Sequence, residues 1–69
     1  MENTTFTLNK DFVIGGKELN CEYLVTQDTY NQDIAKVSWV IDGEYYNNEY
    51  QNSDVDRYFD SGIWVRMIK

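Results

Sequence analysis

Apolar and polar residues alternate with a period of two along most of the chain, the pattern of strands that bury one face. Thr4, Phe6 and Leu8 point one way and Thr5, Thr7 and Asn9 the other, predicting a short first strand that resumes or bends at Phe12-Val13-Ile14. Gly15-Gly16 then predicts a turn. Over residues 17–26, Leu19, Cys21, Tyr23 and Val25 share one face and Asn20, Glu22 and Thr26 the other, predicting a second strand. Residues 27–33 are polar turn formers and read as a loop. Ala35, Val37, Trp39 and Ile41 then line one face of a third strand, which ends at Asp42-Gly43, a strong hairpin signal. The return strand, Glu44 to Tyr50, has tyrosines in place of aliphatics and carboxylates that suit a sheet edge protected from aggregation.

The period changes after Asn52. Ser53 is suited to cap a helix, Asp54 and Asp56 suit the positive end of its dipole, and Val55, Tyr58 and Phe59 fall at i, i+3 and i+4. Gly62 predicts the stop. Residues 63–68 are apolar on both faces and read as a last, central strand, with Trp39 and Trp64 expected in the core. The sum is an α+β fold, an antiparallel sheet of four or five strands with one short helix near residues 53–61, with a small all-β barrel as the alternative. Without proline, repeat or linker, residues 1–69 read as a single domain.

Composition sets the limits of the chemistry. A 69-residue chain buries only about 60% of its unfolded surface, so a stability of about 3–5 kcal/mol is expected. Hydrophobic residues are 42% and aromatics 16%, enough to fold a chain of net charge −6. The lone Cys21 cannot staple the chain and reads as a small buried apolar residue, in keeping with a reducing compartment. Histidine is absent, removing the commonest general base and metal ligand, so the expectation is a protein that is not an enzyme and holds no metal or cofactor. Asp54-x-Asp56 begins like a calcium loop, but Tyr58 and Phe59 stand where that loop needs an oxygen ligand and glycine. Gly15-Gly16-Lys17 lacks the first glycine and following hydroxyl of a phosphate loop. The six lysines and arginines are scattered among twelve acids, which opposes direct binding to nucleic acid or anionic membrane. With no leader-like or membrane-spanning stretch in the sequence, a cytoplasmic location is expected.

One segment departs from this even distribution. Between Asp42 and Asp60 lie Asp42, Glu44, Glu49, Asp54, Asp56 and Asp60 against Arg57 alone, so the segment carries −5 of the net −6. It also holds Tyr45, Tyr46, Tyr50 and Tyr58. Tyrosine combines area, rigidity and a hydrogen-bonding tip, and clustered carboxylates steer basic partners, so these ten residues form the candidate partner-binding set. The same residues also suit a solvated edge strand and a thin core filled with tyrosine rings. Exposure of the tyrosines separates the two readings.

The run Val55-Asp56-Arg57-Tyr58-Phe59-Asp60-Ser61-Gly62-Ile63-Trp64-Val65 resembles the ends of short accessory proteins of tailed bacteriophages. That resemblance implies an early protein that binds and disables one host protein in the host cytoplasm, an acidic one acting as a DNA mimic in a nucleic-acid groove. The leading expectation is therefore an inhibitor, monomeric or weakly dimeric, that docks on a basic surface of a host protein. The alternatives are an assembly module that pairs through its sheet edge and a binder of a small ligand, such as an oligosaccharide, through tyrosine and tryptophan faces.

Overall fold

The computed structural model describes residues 3–67. Five antiparallel strands, β1 (Thr4–Leu8), β2 (Tyr23–Gln27), β3 (Ile34–Ile41), β4 (Glu44–Gln51) and β5 (Trp64–Arg66), form one open sheet in the order β4-β3-β2-β1-β5. The first four run as a meander. The helix α1 (Asn52–Asp60) then carries the chain across one face to the far edge, where β5 pairs with β1. The sheet does not close, and the fold is α+β.

Local chemistry accounts for most of these elements. Asp42 and Gly43 both adopt left-handed backbone (φ 52° and 80°), the requirement of a two-residue turn whose twist matches its strands, and Ile41 pairs with Glu44 across it. Helix α1 buries Val55 completely and rests Tyr58 and Phe59 on the core. Gly62 ends it at φ 83°, its N–H donating to the Phe59 carbonyl at 3.2 Å. The Asn9 side chain donates to the Gly62 carbonyl at 2.9 Å, tying the end of β1 to the turn that launches β5.

Phe6 lies at the centre of the covered face. Its ring stacks on Trp64 (4.3 Å, 15°) and on Tyr23 (5.3 Å, 16°), and Phe59 meets it edge-on at 5.4 Å. Val25, Ala35, Val37 and Val55 complete the fully buried set. This core is aromatic because so short a chain fills volume most effectively with few, large side chains.

Three expectations are corrected. Residues 17–22 are not strand: Lys17–Asn20 form a 3-10 turn, held by the Leu19 N–H on the Gly16 carbonyl (3.2 Å) and by the Tyr23 hydroxyl donating to the Glu18 carbonyl (2.8 Å). β1 pairs with β2 only over Tyr23 to Val25, so the alternation upstream has no ladder to join. The Gly15-Gly16 turn consequently belongs to a long β1–β2 connection, in which the chain bends at Phe12 and Val13, their N–H groups both donating to the Asn9 carbonyl. β5 is an edge strand of three residues, not a central one, and its apolar outward residue Val65 faces an uncovered side; Ile68 lies outside the described residues. Ser53 is not the helix cap, since the helix begins at Asn52 behind Gln51 with no side-chain cap. Asn52 anchors the start instead, its N–H donating to the Asp33 carbonyl (2.9 Å) and its amide to Gln27 Oε1 (3.2 Å).

Candidate functional site

The ten candidate residues fall on three elements and divide by strand parity. On β4, Glu44, Tyr46 and Tyr50 share the face that α1 covers, opposite Ile41, Trp39 and Ala35. Tyr45 and Glu49 point to the other face, opposite Val40 and Lys36. Tyr50 is drawn into the core, edge-on to Trp64 at 5.3 Å and to Tyr58 at 6.1 Å. Tyr58 is likewise packed on Trp64 (4.7 Å). Both rings thus act mainly as core. Tyr46 stacks on Trp39 at 5.9 Å, remains exposed, and donates its hydroxyl to Glu44 at 2.9 Å. That carboxylate holds the Tyr46 phenol above its ordinary range. Tyr45 is the most open of the four, 67% exposed.

The carboxylates divide as well. Asp42 is ion-paired with Lys17, and Asp54 with Arg57 at 2.6 Å. Glu44, Glu49, Asp56 and Asp60 stand exposed, and among the described residues none of them is ion-paired. Asp56 and Asp60 lie four residues apart on the outer side of α1. Surface pairs such as Lys17–Asp42 contribute little to stability, so the unpaired carboxylates set the local field. Among the described residues no three His, Cys, Asp or Glu side chains gather in a way that could hold a metal ion, and no helix is long and apolar enough to cross a membrane.

The open face of the sheet was not anticipated. Leu24, Val40 (53% exposed), Tyr45 and Val65 project from it, and among the described residues no element lies above them. A shallow depression of about 530 Å³ runs over Thr5, Leu24, Ser38, Val40 and Tyr45. Its signal in the sequence is the apolar residue inserted at the wrong parity, Leu24 between Tyr23 and Val25 and Val40 between Trp39 and Ile41. No protein-family model, curated protein or solved structure matches the chain.

Proposed function

We propose that the chain is a non-catalytic binding protein that docks on a basic, nucleic-acid-binding surface of another protein and blocks it. The observation that carries this reading is the exposed rim of β4, where Glu44 and Glu49, neither ion-paired, flank the exposed rings of Tyr45 and Tyr46, with Asp56 and Asp60 exposed and not ion-paired on the outer side of α1. Carboxylates take the positions of phosphates and speed encounter, while the tyrosines supply desolvated contact area. The bacteriophage resemblance of Val55 to Val65 supports a bacterial host protein as the target. Affinity capture from bacterial lysate at low and moderate salt tests it. The expected result is one nucleic-acid-binding protein whose recovery falls with salt, because exposed charges are screened over about 10 Å at 0.1 M. A blank at both salts contradicts it.

A second reading is favoured by the outer edge of the eight-residue β4, which has no neighbouring strand among the described residues, although the Glu49 N–H donates to Asn48 Oδ1 at 3.0 Å. Beside a two-residue turn the backbone groups of Tyr45, Asn47 and Glu49 face outward. A second copy placed antiparallel with Asn47 on the two-fold axis sets Tyr45 opposite Glu49 and Glu44 opposite Tyr50, so no like charges meet. A dimer that grows with concentration in gel filtration supports this pairing, and a monomer at all concentrations excludes it.

A further inference from the structure

The covered face of the sheet is not fully covered. Beside α1 a cavity of about 230 Å³ remains, with Val37 among its lining and walls that include Tyr23, Trp39, Tyr50 and Trp64, contributed by strands β2 to β5. No residue of α1 lines it. Around it the rings of Tyr23 and Trp39 lie 5.1 Å apart and inclined at 43°, and those of Tyr50 and Trp64 lie 5.3 Å apart and nearly perpendicular. Among the lining residues one carries a formal charge, Glu18 of the 3-10 turn. Its carboxylate accepts the Gly16 N–H at 3.0 Å, and that backbone hydrogen bond, together with its own N–H, keeps it ionised below the ordinary glutamate range. The lysines of the same loop are engaged elsewhere, Lys17 with Asp42 and Lys10 with Asn20 at 3.2 Å.

Largely aromatic walls bordered by one acidic residue, with no basic residue in the lining, favour a positive, weakly hydrated group. A guanidinium fits better than an ammonium, since it is planar, stacks on rings and sheds water more readily. The fold already shows this contact: the Arg66 guanidinium lies 4.1 Å from the ring centre of Phe59. We propose that the cavity receives an arginine side chain of the partner protein, with Trp39 and Tyr50 as stacking walls and Glu18 as counter-charge. This rests on the docking function proposed above and adds its anchor, because basic nucleic-acid-binding surfaces present arginine and buried arginines dominate interface energies.

The test uses N-acetylarginine amide as the probe, its citrulline counterpart as the neutral isostere, and tryptophan fluorescence as the readout, since both tryptophans line the cavity. A saturable change with the arginine probe is expected, with the citrulline probe about tenfold weaker or more and Glu18→Gln removing most of that difference. Equal responses to the two probes, or no saturable response to either, overturn the proposal. Partner capture separates the two claims: salt-sensitive capture without arginine-probe binding leaves the acidic surface standing and removes the anchor. Arginine-probe binding with no captured partner leaves the cavity standing and removes the docking function.

Discussion

The two faces of the sheet carry similar side chains under different conditions. Under α1, Phe6, Val25 and Val37 are almost wholly excluded from water and Trp64 touches four aromatic rings. On the opposite face Leu24, Val40, Tyr45 and Val65 are apolar or aromatic too, yet no element among the described residues lies over them. One short helix can cover one side of a five-stranded sheet and no more. Stability therefore resides almost entirely on one face, whereas the open face and the β4 edge are free to change without unfolding the chain.

Breaking the covered face has the largest expected effect. Phe6→Ala removes a ring stacked on two others, and a loss of about 3–5 kcal/mol equals the whole stability expected of so small a domain. Urea unfolding should show the variant largely unfolded without denaturant. Charging the same face comes next. Tyr23 is buried and donates to the Glu18 carbonyl, so burial first, and then the neighbouring Cys21, push its phenol above the ordinary value. The neutral form is favoured in the folded state, so this contribution is fully present below about pH 10, the ordinary tyrosine value, and is lost as pH rises through the raised folded value. Thermal unfolding followed from pH 8 upward should show the midpoint falling only on the alkaline side, and Tyr23→Phe should remove that part of the fall. The smallest effect belongs to the open face: Leu24→Thr and Val40→Thr should each change stability by no more than about 0.5 kcal/mol. A loss of several kcal/mol from either would mean that the open face is part of the core.

Much of the fold was legible because local patterns report local structure. The alternation through Ala35, Val37, Trp39 and Ile41, the Asp42-Gly43 turn and the spacing of Val55, Tyr58 and Phe59 all appear in the structure as read. The failures share one cause. Leu19 and Cys21 continue a strand alternation, but β1 reaches only as far as Tyr23 on its partner, and no period in the sequence encodes that limit. Residues 63–68 read as central because both faces are apolar, whereas strand order follows from where α1 delivers the chain. In the candidate site the concentration of charge was legible from composition. The division of the tyrosines was not, because Tyr50 and Tyr58 are partly buried by their contact with Trp64 from the far edge of the sheet. The pairing of Glu18 with Trp39 is illegible for the same reason: Trp39 reads as core, and the two line one cavity although twenty-one positions separate them.

The docking claim turns on carboxylates that the fold does not need. Glu44 and Glu49 are exposed on an edge strand, and a cation at position 60 complements the negative end of the α1 dipole. The variant carrying Glu44→Lys, Glu49→Gln and Asp60→Lys, in which position 49 stays neutral because Lys36 lies opposite it, should thus keep its circular dichroism spectrum and its unfolding midpoint. The decisive measurement is capture of the salt-sensitive partner by this variant beside the parent chain. Loss of capture with the fold retained is the predicted result, and capture that persists with unchanged salt dependence would contradict the account.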